Sequence, residues 1–219
     1  PDDHAALYPH LRRMEVAGGQ ILIEQDGEIV DVHFPVDAQL VNRVRFPDGP
    51  AIETALIGSE GVSGLAPFLA DQPCGWEVSA RMAGAVYVLS ADLLRRRQRI
   101  SPPLMHDLLR LSCVYQMQAV QHAACNTVHK VMPRVARWLL TAADLTAGVD
   151  IHFTQEELAC ALGAQRTTIN DAAGQLKERK AIRYARGVIR ILDRPALEQM
   201  ACECYAMERS RIERAGVEA

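Results

Sequence analysis

The sequence predicts an α+β protein: an N-terminal antiparallel β-roll, a long dimerisation helix, and a C-terminal winged helix-turn-helix. Three observations predict it. Residues 19–89 fall into short alternating runs broken by turn residues. Pro102-Pro103 opens a long helical stretch without a break. Residues 154–182 then show helix-turn-helix spacing, followed by a short hairpin pattern.

The roll is read from strand-sized runs at 20–24, 28–34, 39–46, 51–57, 77–82 and 85–89. Asp26-Gly27, Pro35, Pro47-Asp48-Gly49-Pro50, Gly58, Gly61, Gly64, Pro67 and Pro73 separate them. Many short strands with frequent turns point to a sandwich, roll or barrel. A short helix bearing Arg95-Arg96-Arg97-Gln98-Arg99 leaves it.

Proline suits the first turn of the helix that follows. Leu104, Leu108, Leu111 and Tyr115 repeat at four-three spacing, and Gln118, His122, Cys125 and His129 continue the register. That is the spacing of a coiled-coil seam, and residues 104–125 of it are expected to form a dimer interface. Met105, Leu109, Val114, Met117 and Val120 carry apolar surface further around the helix. One face on the roll and one on a second subunit accounts for both. A second helix is expected over 133–143. The resulting division is 1–100 for the sensor, 101–130 for the dimerisation helix and 131–219 for the winged helix-turn-helix.

Within 154–182, Thr154 and Glu157 have capping-box spacing, so a helix begins at Gln155. Ala159 is small where two helices approach. Gly163 suits the turn, and Ile169 and Leu176 mark the buried side of a second helix over 165–179. Ile182–Tyr184 and Val188–Leu192, joined through Ala185-Arg186-Gly187, read as a hairpin wing with a basic tip.

Charge separates the two halves. Residues 163–194 hold 8 Lys/Arg against 3 Asp/Glu, whereas residues 1–100 hold 9 against 14. A local basic cluster in a chain of net charge −3 points to a polyanion partner for that segment alone. No apolar run is long enough to span a bilayer and no signal pattern appears, so a cytoplasmic protein without membrane contact is expected. The six cysteines have neither disulfide-framework nor paired-zinc spacing. Cys202-Glu203-Cys204 is a weak metal or redox signal, and His122, Cys125 and His129 on one helical face read as polar interface residues, with a metal or redox locus as the alternative. No metal, cofactor or catalytic residue is assigned. No nucleophile–base pair or phosphate-binding glycine loop is visible, so the chain is not expected to be an enzyme.

The segments VHFP, ALIGSEGVSGL, QHAACNTVHKVMPRVARWLL, FTQEELACALGAQRTTIN and IRYARGVIRILDRPALEQMACECY resemble the CRP/FNR family of bacterial transcription regulators. The resemblance implies a roll like that of cyclic-nucleotide-binding domains and a homodimer on double-stranded DNA, with RNA polymerase as a further partner if it activates. A small-molecule signalling module whose helix-turn-helix contacts protein is the alternative. The resemblance implies Arg166, Thr167, Asn170 and Asp171 as base-reading residues, with Thr154, Gln155, Gln165, Thr168 and Arg186 on phosphates. Members that bind cyclic AMP use a Gly-Glu pair and an Arg followed by a hydroxyl residue. Alignment through Gly61 and Gly64 puts Leu65 at the carboxylate position, and Cys74 and Gly75 at the other two, with Arg81 a possible substitute. The effector pocket is assigned to these six residues, its ligand unknown but not cyclic AMP. No cysteine precedes Cys74 to hold an iron–sulfur cluster of the family's oxygen-sensing branch.

Overall fold

The computed structural model describes residues 2–49, 51–145, 150–185 and 187–215. A short helix α1 (Asp2–Leu7) precedes strands β1 (Arg12–Val16), β2 (Ile21–Ile23), β3 (Asp31–Pro35), β4 (Gln39–Arg45) and β5 (Ala51–Ile57). Helix α2 (Leu65–Ala70) interrupts them before β6 (Glu77–Met82) and β7 (Gly84–Ser90). The strands form two antiparallel sheets, ordered β1-β7-β3 and β2-β6-β4-β5. Their inward positions supply one core, including Val32, Leu40, Ile57, Val78, Val86 and Leu89, with Phe68 of α2. The alternating runs predicted six of these strands. They missed β1, whose run RRMEV carries three charged residues, and α2, which lies across a glycine- and proline-marked segment.

Helix α3 (Ala91–Ile100) leaves the roll and α4 (Pro102–Val128) follows after one residue. Ser101 caps α4, its hydroxyl accepting the Leu104 N–H at 3.4 Å, while the two prolines occupy positions whose missing N–H costs nothing.

The structure corrects the expected use of this helix. Leu108 lies in the roll's core at 7% exposure, and Leu104, Leu111 and Tyr115 pack against the same core. Tyr115 also accepts the backbone N–H of Val62 at 2.9 Å through its hydroxyl. Gln118 lines a cleft inside the same chain, His122 faces Glu208 and the Thr54 carbonyl, and Cys125 is buried beside Cys202 and Cys204. The predicted seam is therefore turned inward along most of its length. The outward face carries Leu109 and Val120, 52% and 64% exposed, with Cys113, Gln116, Ala123 and Thr127 also exposed. Those six positions repeat at four-three spacing as well. A helix that is apolar nearly all round offers two registers two residues apart, and only packing chooses between them.

Helix α5 (Val131–Asp144), strand β8 (Asp150–His152), helices α6 (Gln155–Leu162) and α7 (Arg166–Glu178), and strands β9 (Ile182–Ala185) and β10 (Val188–Ile191) make the second core. Val135, Leu139, Phe153, Leu158, Ile169, Leu176 and Ile189 meet there. The strands form an antiparallel sheet ordered β8-β10-β9. Two further helices, α8 (Arg194–Met200) and α9 (Cys204–Ala215), close the chain, and α9 lies along α4.

Candidate nucleic-acid interface

Helix α6 begins with a complete capping box. Thr154 accepts the Glu157 N–H at 3.2 Å, and the Thr154 N–H returns a bond to the Glu157 carboxylate at 2.7 Å. The Thr154 hydroxyl also donates to that carboxylate at 2.9 Å. Its proton is thus engaged within the box, which removes it as a donor to phosphate. Gly163 ends α6 with φ +55°, a left-handed conformation that glycine adopts at low cost. The chain then turns into α7, which Ile169, Ala172, Ala173 and Leu176 bind to the core.

Burial of that stripe decides what the other side of α7 presents. Gln165, Arg166, Thr167, Thr168, Asn170 and Asp171 are all exposed, whereas Gln155 is half-buried at the start of α6. Among the described residues, no side-chain hydrogen bond or ion pair holds Arg166, Asn170 or Asp171. Lys177, Arg179 and Lys180 at the far end of α7, and Arg183 and Arg190 on the wing, are exposed too. Arg186 lies outside the described residues. The surface is a polar helix face flanked by cations, built on a buried apolar stripe.

The expected effector pocket is not assembled in the roll. Leu65 and Cys74 are buried side chains of its core, at 2% and 0% exposure. Cys74 also exchanges a backbone bridge with Gly27. Gly64 starts α2, and a side chain at Gly61 would collide with the Tyr115 hydroxyl, 2.3 Å from the position of its Cβ. Gly61 is therefore explained by the close approach of α4. Gly75 has open space around its Cα.

Arg81 faces away from these groups. Its guanidinium donates to both Glu53 oxygens at 3.0 and 3.2 Å and lies over the Phe153 ring, 3.1 Å from the centroid. Arg43 pairs with the same carboxylate at 3.0 Å. Burial pulls the Arg81 pKa down to about 10, with Glu53 opposing that pull. Arg81 thus joins the roll to the winged region. Neither Glu53 nor Phe153 was singled out by sequence, because an isolated Glu in a strand and a Phe before a capping box give no local sign of a shared partner.

A cleft of about 1110 Å³ opens between β5, α4, α5 and α9. Its polar lining includes His122, Arg137, Asp144, Tyr205 and Glu208. Burial of Glu208 disfavours its charge, but His122 and Arg137 prevail and hold its carboxyl below the usual range. Arg137 reaches it at 3.1 Å. No described helix is long and apolar enough to cross a membrane.

Residues 133–200 match the Crp-like helix-turn-helix domain. Among curated proteins, none matches the chain. Solved structures of similar fold include FixK2 from Bradyrhizobium japonicum, with a TM-score of 0.77 and 16% identity over 88% of this chain and 98% of that one. A CRP/FNR-family transcriptional regulator from Eubacterium rectale gives 0.73 and 17%, covering 91% and 93%. The CRP/FNR-family regulator TTHA1359 from Thermus thermophilus gives 0.71 and 18%, covering 87% and 98%. The chain therefore has the α+β fold of a CRP/FNR-type transcription regulator and carries a Crp-like helix-turn-helix.

Proposed function

We propose that this chain is a homodimeric, sequence-specific DNA-binding transcription regulator whose α7 enters the major groove of an inverted-repeat operator. The observation that carries the reading is the exposed polar face of α7, with Arg166, Asn170 and Asp171 unpaired among the described residues and cations to either side. In this motif the N-terminal half of the second helix reaches base edges. Arg166 has the planar fork that matches guanine O6 and N7, Asn170 suits adenine, and Asp171 accepts from a cytosine amino group. Thr167 meets a thymine methyl. Gln165, Thr168, Gln155 and Arg186 are assigned to phosphates, while Thr154 is left to its capping role. Residues 1–100 would sense, 101–130 dimerise and 131–219 bind DNA.

The partner subunit is assigned to the outward face of α4, at Leu109, Cys113, Gln116, Val120, Ala123 and Thr127, because no described residue covers this face. Sedimentation of the Leu109→Asp, Val120→Asp double variant should show folded monomers. A dimer unchanged in that variant removes this face from the interface. Cyclic AMP is not the roll's ligand on this reading, since Leu65 and Cys74 contribute core side chains where a carboxylate and an arginine are required. Calorimetry should detect no binding of it at micromolar concentrations.

Binding of the full chain to random duplex DNA, followed by fluorescence anisotropy against salt, tests the central reading. Affinity should fall steeply with salt because cations displace condensed counterions. A flat salt dependence, or no binding, would sink it.

A further inference from the structure

Four side chains from two distant stretches of sequence converge where α4 ends. Cys125 lies in the last turn of α4 and His129 is its C-cap. Cys202 lies just before α9, and Cys204 is its first residue. Their candidate ligand atoms all lie within 4.8 Å of one another. Cys125 Sγ is 3.5 Å from Cys202 Sγ, and Cys204 Sγ is 3.7 Å from His129 Nδ1. We propose that these four residues bind one thiophilic divalent metal ion of the Zn²⁺ class in a Cys₃His site.

The dimensions fit such an ion. Tetrahedral ligands at the usual Zn–S distance of about 2.3 Å stand roughly 3.8 Å apart. A polynuclear iron–sulfur cluster spreads its thiolates more widely than this grouping does. All three cysteines are buried, at 1%, 6% and 2% exposure, so solvent does not compete for them. Buried cysteines packed as small apolar residues would account for the thiols alone. They do not account for an imidazole nitrogen turned toward Cys204.

The surroundings match as well. The other ring nitrogen of His129, Nε2, faces the Glu203 carboxylate at 3.2 Å. That carboxylate–histidine pairing fixes the tautomer that leaves Nδ1 free to ligate. Gln121 donates to Cys204 Sγ at 3.0 Å. Three thiolates and a neutral imidazole around a dication carry one net negative charge. Arg134 and Arg137 are close enough to Cys125 to interact with it electrostatically, and they offset that charge. On binding, the three thiols release their protons to solvent, and each sulfur donates a lone pair to the metal, as does Nδ1. No redox change is involved.

The ion would tie the end of α4 to the turn before α9, where the Cys202 N–H also bonds the Pro133 carbonyl at 3.4 Å. That is the joint between the long helix and the winged domain. An effect on operator affinity would rest on the DNA-binding reading above. Metal stoichiometry and the cobalt spectrum do not rest on it, so the two can fail separately.

The test uses the full chain, purified under reducing conditions, stripped with a chelator and titrated with Zn²⁺ and with Co²⁺ as a spectroscopic probe. Expected are one ion per chain, the strong visible bands of tetrahedral Co²⁺, and sulfur-to-metal charge transfer in the near ultraviolet. Cys125→Ser, Cys202→Ser and Cys204→Ser should each weaken binding by at least about 100-fold, since even loss of an outer-shell partner costs about 10–100-fold. Cys160→Ser, a half-buried cysteine in α6 away from the site, should leave metal binding unchanged. His129→Cys keeps four ligands and should still bind, with the cobalt bands moved toward those of a tetrathiolate site, which guards against a variant that merely misfolds. Octahedral cobalt bands would overturn the proposal, as would unchanged binding in the serine variants. So would a Cys125–Cys202 disulfide in the metal-free protein that forms equally well with Zn²⁺ present.

Discussion

The β4–β6 sheet of the roll and the stretch from α7 to the wing hold their arginines in opposite ways. In the roll, Arg43 and Arg81 share the buried Glu53, and Arg45 pairs with the buried Glu77. In the winged region, Arg166, Lys177, Arg179, Lys180 and Arg183 stand in solvent. A buried cation must be matched by a carboxylate inside the fold, because desolvation otherwise outweighs its interactions. An exposed cation needs no such match and stays available to a polyanion. The same residue type thus stabilises the fold in one region and offers a binding surface in the other. Local sequence does not separate the two uses; burial does.

The largest effect that could break this comparison is at Glu53. Replacing it with Gln removes the carboxylate that Arg81, buried against Phe153, shares with Arg43. Breaking a buried pair in this way costs about 3–5 kcal/mol, to be read from urea unfolding of the full chain. A loss below about 1 kcal/mol would mean that solvent already screens the pair, and the contrast between the regions would fail there.

His33 sharpens the comparison on the acid side. It is buried, with Nδ1 3.0 Å from the Ser63 hydroxyl. Burial depresses its pKa to about 4, with Asp31 opposing and Arg12 reinforcing the shift. The folded state therefore resists protonation, while the unfolded chain takes up the proton near the ordinary value of 6.5. Stability from this residue is intact above pH 6.5, falls as the pH drops toward 4, and levels off below that. The expected loss at pH 5 is about 2 kcal/mol. Denaturant midpoints at pH 7 and pH 5 measure it, and His33→Asn should abolish the His-linked part. An equal pH slope in that variant would assign the effect to other groups.

The smallest effect on stability should come from Arg166. Arg166→Ala should leave stability within about 0.5 kcal/mol, as exposed unpaired sites do, yet cost about 1–3 kcal/mol of operator affinity per half-site and relax one base position. Anisotropy on the native operator, found by identifying bound genomic DNA, decides it. Undiminished affinity and selectivity would make Arg166 an ordinary surface residue.

Much of this architecture follows from local chemistry. Alternation over 20–24, 39–46, 51–57, 77–82 and 85–89 marks strands because side chains in an extended chain alternate between a buried and a solvated face. Thr154, Glu157, Gly163, Ile169 and Leu176 mark α6, the turn and α7, because capping, positive φ and helical periodicity act within a few residues. The exposed face of α7 follows from that same stripe. Other features depend on pairings between distant segments. Leu108 and Leu109 are adjacent and equally apolar, yet only packing of α4 against the roll sends one inward and leaves the other for a partner. Arg81 could not be read as paired until β5 placed Glu53 beside it and the winged region placed Phe153 over it. Cys125 and His129 gain Cys202 and Cys204 as neighbours only because α9 folds back along α4. Periodicity and capping are short-range and can be read along the chain, whereas the choice among equally apolar faces and the meeting of remote polar groups are fixed by the whole packed structure.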